Sequence, residues 1–159
     1  MIIDAYTHWT PVNFVKELAK SSDGAARKAA EYAINLSAEK PNFIEMEKRL
    51  QDLDKYGYEQ QITMVHSIIE PNTFNLSTEE NLRLASVIND DLLELNRKSK
   101  GRILGVGTIP LHALDSGGLE EMETGWVRCC CAAWTVMPGP SGRDCACCGG
   151  ACSNPVPGK

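Results

Sequence analysis

With 159 residues, 43% of them hydrophobic and 23% charged, the chain has the composition of a globular domain with a core of its own, which excludes a wholly disordered or fibrous protein. A formal net charge of -5, with no long cluster of Lys or Arg, removes the electrostatic basis for binding nucleic acid or an anionic membrane surface. The opening Met1-Ile2-Ile3-Asp4 lacks the basic and apolar segments of a secretory signal, and no apolar run approaches a membrane span, so a cytoplasmic protein is expected.

A first strand is expected over about residues 1 to 6, ended by Thr10-Pro11, where a βα loop begins. Strand alternation would turn Asp4, Tyr6 and His8 to one face and Ile3, Ala5 and Thr7 to the other. Two imidazoles in a His-x-His pair at such a strand end would chelate a divalent metal, and here Tyr6 stands at the first of the two positions. A phenol, with a reference pKa of about 10, must lose its proton before it binds strongly, so Tyr6 and His8 make a weaker metal pair than two histidines. The competing reading of His8 is a hydrogen-bonded histidine at a strand end.

Asp23 can cap a helix from residue 25 to about 36, with Ala26, Ala29, Ala30, Ala33 and Leu36 as a small-residue packing face. Phe43, Met46, Leu50 and Leu53 mark a second helix over residues 42 to 56, which Gly57 would end. Residues 61 to 68, rich in β-branched and apolar side chains, read as a buried strand. His66 lies near its C-terminal end, where it is a candidate substrate-binding group or a histidine bonded to backbone. Ser77-Thr78-Glu79-Glu80 offers a capping box for a helix carrying Leu82, Ala85, Ile88, Leu92 and Leu95 and stopping near residues 98 to 101. A third strand, residues 103 to 109, ends at Pro110; Gly105 and Gly107 fall within it, which suits packing space better than a phosphate loop. His112 follows and is expected to be exposed. Strands alternating with helices predict a parallel α/β architecture.

Composition changes abruptly near residue 124. All seven cysteines, Cys129, Cys130, Cys131, Cys145, Cys147, Cys148 and Cys152, lie beyond it, among many Gly and Pro. A secreted disulfide framework would staple the whole chain, so the distribution argues against one. Residues 124 to 159 are therefore expected to form an irregular Cys/Gly/Pro-rich tail, read either as a thiolate module for soft metals or redox work, or as the product of a shifted reading frame or retained intron.

Three segments carry a family likeness. Ile3-Asp4-Ala5-Tyr6-Thr7-His8 with Pro11 is the first, and Arg49-Leu50-Gln51-Asp52-Leu53-Asp54-Lys55-Tyr56-Gly57 is the second. The third runs from Asn89-Asp90 through Gly101-Arg102-Ile103-Leu104-Gly105-Val106-Gly107-Thr108-Ile109-Pro110-Leu111 to Leu119-Glu120-Glu121-Met122. On these motifs the chain resembles the amidohydrolase-related family of metal-dependent decarboxylases and hydrolases. The resemblance implies residues 1 to 123 as the N-terminal part of a TIM-like (β/α)8 barrel, about three βα units, where a whole barrel takes about 250 residues. It further implies a divalent metal, often zinc, at the strand ends and a small carboxylated aromatic or muconate-like substrate, with a homo-oligomer expected for a complete relative. His8 is the ligand position that matches, Tyr6 the one that departs, and His66 would bind substrate. The family's later ligands, a histidine from a middle strand and an aspartate after the last, have no counterparts, so an impaired fragment of such an enzyme is expected.

Overall fold

Three short strands running in one direction form the sheet, in the order β1, β2, β3: β1 is Ile3–Trp9, β2 is Gln60–Val65 and β3 is Ile103–Gly105. The computed structural model describes residues 2 to 121, so the expectations for the Cys-rich tail lie outside the described residues. Between β1 and β2 run helices α1 (Val12–Leu18), α2 (Gly24–Glu39) and α3 (Met46–Tyr56); α4 (Thr78–Lys98) joins β2 to β3. Short 3-10 turns occupy Pro41–Phe43, Ser67–Ile69, Pro71–Thr73 and Leu111–Ser116. Mixed α/β architecture with a parallel sheet is as expected; each parallel step needs a long crossover, and the helices provide it.

The helix ends follow from local chemistry. Asp23 accepts a hydrogen bond from the Ala26 amide at 2.8 Å, and Ser77 accepts one from the Glu80 amide at 3.1 Å. The capping box at Ser77 is half made, because the Glu80 carboxylate instead accepts from the amide and hydroxyl of Ser22, at 3.3 and 3.0 Å. Gly57 ends α3 with φ of 74°, a left-handed conformation that costs glycine no steric penalty.

Gln61, Thr63 and Val65 of β2 are buried while Gln60, Ile62 and Met64 are half-buried, so one face of the sheet carries the packing. That face meets a core built from Phe14, Val15 and Leu18 of α1, Ala26, Ala30 and Ala33 of α2, Leu53 of α3, and Leu84, Ile88, Leu92 and Leu95 of α4. Gly105 is part of this seam. A Cβ there would lie 2.6 Å from the Leu92 Cβ, so the reading of Gly105 as packing space holds.

Several boundaries differ from expectation. Helix α1 occupies what reads as loop, because Pro11, taken as a terminator, sits at the N-cap, where its missing donor costs nothing. Strand β1 runs on to Trp9, and β2 stops at Val65, so His66 starts a turn instead of ending a strand. Strand β3 ends at Gly105, which leaves Gly107 beyond it, with the space a Cβ would need taken by Asn89 Oδ1 at 2.9 Å. Helix α3 begins at Met46, after the 3-10 turn that Pro41 opens.

Candidate functional site

Strand β1 carries a register shift that decides which of its side chains share a face. Asp4 pairs with Gln61 and Thr7 with Thr63, so three steps along β1 match two along β2. Asp4 and Thr7 therefore both face the helices, as Gln61 and Thr63 do. Tyr6 and His8 lie on the opposite face, and His8 pairs with Met64. The expected grouping of Asp4 with Tyr6 and His8 is thus broken by one surplus residue in an edge strand. Simple alternation could not have revealed it.

On the face opposite the helices, at the C-terminal ends of β1 and β2, three rings meet. Tyr6 stands edge-on to His8 with centroids 5.2 Å apart and is 72% exposed. His8 lies against His66 with centroids 4.6 Å apart and ring planes inclined at 49°. The Nδ1 of His8 is buried and has no hydrogen-bond partner, an uncommon state for a buried polar nitrogen. His66 Nδ1 accepts from the Ile68 amide at 3.1 Å, which fixes the proton of the neutral ring on Nε2. Burial, then the neighbouring charge of His8, pushes the His66 pKa down, so the ring is neutral at physiological pH. Sequence reasoning named all three residues, and the fold brings them together. His112 is exposed on the turn Leu111–Ser116, as expected.

Beneath this mouth lies a residue whose role the sequence did not disclose. Arg49 of α3 is buried, and its Nη2 donates to the His8 carbonyl at 2.6 Å, holding the backbone that carries the His8 ring. Its Nε donates to the Asn42 carbonyl at 2.9 Å, and its Nη1 to Gln61 Oε1 at 2.9 Å and Thr7 Oγ1 at 3.2 Å. The guanidinium also lies over the Trp9 ring, 5.2 Å from its centroid. Burial lowers the Arg49 pKa to about 10, against the opposing pull of Asp4 and Asp52, so the group stays charged at neutral pH.

A cavity of about 370 Å³ opens beside Arg49, lined among others by Asp4, Tyr6, His8, Asp52, Tyr56 and Tyr58. Two of the three rings, Tyr6 and His8, belong to its lining, and His66 does not. Arg49 has directed its donors to neutral protein oxygens, and Asp4 and Asp52 are held by Gln61 and Asn42, so the polar groups here already serve the fold. Among the described residues no three His, Cys, Asp or Glu side chains cluster as a ready-made metal site, and no helix is long and apolar enough to cross a membrane. No protein-family model and no curated protein matches the chain.

Proposed function

We propose that the chain carries the opening part of a (β/α)8 barrel of the amidohydrolase-related type, a metal-dependent carboxy-lyase or hydrolase for a small carboxylated aromatic or muconate-like compound. The observation that supports this reading is the meeting of Tyr6, His8 and His66 at the C-terminal ends of β1 and β2, the end at which barrel enzymes build their sites. His8, with an unpartnered buried nitrogen, and Tyr6 beside it are the residues that would hold a divalent ion such as zinc. A bound ion of this kind supplies Lewis acidity and an activated water.

The chain's own residues then have separable tasks. Arg49 fixes the His8 backbone and so the position of its ring. His66, neutral and carrying its proton on Nε2, is a hydrogen-bond donor for an oxygen of the substrate. Tyr6 forms an exposed aromatic wall on the far side of His8.

The direct test is metal content and turnover of the purified full chain, its thiols alkylated so that the seven cysteines do not compete. Stoichiometric zinc that His8→Ala removes, together with carbon dioxide release or hydrolysis from an aromatic carboxylate, supports the proposal. Because the chain is read as an impaired fragment, absent turnover is compatible with the proposal; protein that holds no zinc at His8 overturns it.

A further inference from the structure

We propose that His8 and His66 bind one divalent cation between them, so that the imidazole missing at Tyr6 is supplied by the neighbouring strand instead of by the same one. This rests on the metal reading of the mouth given above and changes its ligand set, with His66 Nε2 taking the ion in place of donating to substrate. Zinc sits about 2.0–2.1 Å from an imidazole nitrogen and so roughly 3.2 Å from the ring centre, which puts two rings that share a tetrahedral ion roughly 5.2 Å apart, a little wider than the pair found here. His8 and His66 stand at 4.6 Å, with planes inclined and not stacked flat.

The two rings also have nitrogens to give. His8 Nδ1 is buried without a partner, although nearly every such atom in a folded protein has one. His66 uses Nδ1 to accept from Ile68 and turns Nε2 away from the turn. His8 lies in β1 opposite Met64, and His66 follows directly on the last residue of β2, so the paired ends of two adjacent parallel strands hold both rings side by side. Tyr6 is a poorer partner. Its phenol would have to give up a proton, and its ring is the most exposed of the three.

Ligation through His66 Nε2 needs a proton rearrangement within the ring. The proton leaves Nε2 and a proton is taken up at Nδ1, so the ring remains neutral overall and Nδ1 ceases to accept. The Ile68 amide, on an exposed residue, is then released to water. Cation binding is therefore coupled to the 3-10 turn Ser67–Ile69. With two protein ligands the ion would keep two positions for water or substrate, one more than a three-ligand catalytic zinc site keeps.

The chain has three histidines, and His112 serves as an internal control. Zinc is titrated into the 15N-labelled, thiol-alkylated full chain while the imidazole nitrogens and the Ile68 amide are followed by NMR. The expected result is that His8, His66 and Ile68 shift along one saturation curve while His112 does not move. His66→Asn keeps an acceptor for the Ile68 amide but no distal nitrogen, and it should abolish the His8 shift at the same zinc concentration; Tyr6→Phe should preserve it. A His8 shift without His66, an equal shift of His112, no shift at all, or a shift lost in Tyr6→Phe and kept in His66→Asn would overturn the proposal. A His8 shift without His66 would leave the metal reading of the mouth standing and sink only this ligand pair, whereas zinc that moves neither ring would sink both.

Discussion

The guanidinium of Arg49 directs its donors to neutral oxygens, those of His8, Asn42, Thr7 and Gln61, while Asp4 and Asp52 balance its charge without touching it. Replacing it with Met keeps most of the unbranched stem but strands several buried acceptors, and the expected loss is about 2–4 kcal/mol in chemical denaturation. Arg49→Lys should recover little, since one ammonium cannot reach acceptors arranged around a planar fork. Gly105→Ala would drive a methyl against Leu92 and should cost about 1–3 kcal/mol, read from the same denaturation midpoints. The two residues were unequally legible. Gly105 announced itself as a small residue in an apolar strand, whereas the burial of Arg49 depends on Thr7 and Gln61, which lie 42 and 12 residues away. Tyr6, His8 and His66 were legible as chemistry, yet the contact between His8 and His66 spans two strands and has no local signal.

The ends of the helices were written in the sequence because caps are local. Asp23, Ser77 and Gly57 each act within a few residues of their own position. Ser77→Ala should lower stability by about 1 kcal/mol, measurable as a fall in the thermal midpoint. Glu80 adds a pH dependence. Burial raises its pKa, but hydrogen bonds from Ser21 and Ser22 and the nearby Arg83 outweigh that and hold it below the usual 4.5. With a depressed folded pKa, its contribution is present above pH 4.5 and is lost as the pH falls through the folded value. The gap in thermal midpoint between the native chain and Glu80→Gln should therefore be widest near neutrality and close in acid. Helix α1 was missed because Pro11 signals both the end of one element and the start of another, and Phe14, Val15 and Leu18 give too short a stretch for periodicity to decide.

For the molecule as a whole, alternation of strands and helices was enough to give a parallel sheet, but the closure of a barrel is a property of strands that three cannot express. The sheet has β1 and β3 at its two edges, and the face opposite the helices carries Ile62, Met64 and Leu104 half-buried and Tyr6 exposed. Among the described residues no strand pairs with the outer edges of β1 and β3, and such edges with a partly apolar face favour pairing with further copies. Sedimentation velocity should show concentration-dependent association that Tyr6→Lys reduces without altering the far-ultraviolet spectrum; a concentration-independent monomer would refute this. The surplus residue in β1 gives that edge an unusual tolerance. Removing Ala5 would leave Ile3, Asp4, Thr7 and His8 opposite the same partners, Gln60, Gln61, Thr63 and Met64. Removing Thr7 would also leave Ile3 and Asp4 in place, but it would set Tyr6 opposite Thr63 and turn it toward the helices. A comparison of this strand with one lacking the surplus must therefore open its gap between Asp4 and Thr7, or it will count Asp4 among the residues of the histidine mouth when it belongs to the scaffold.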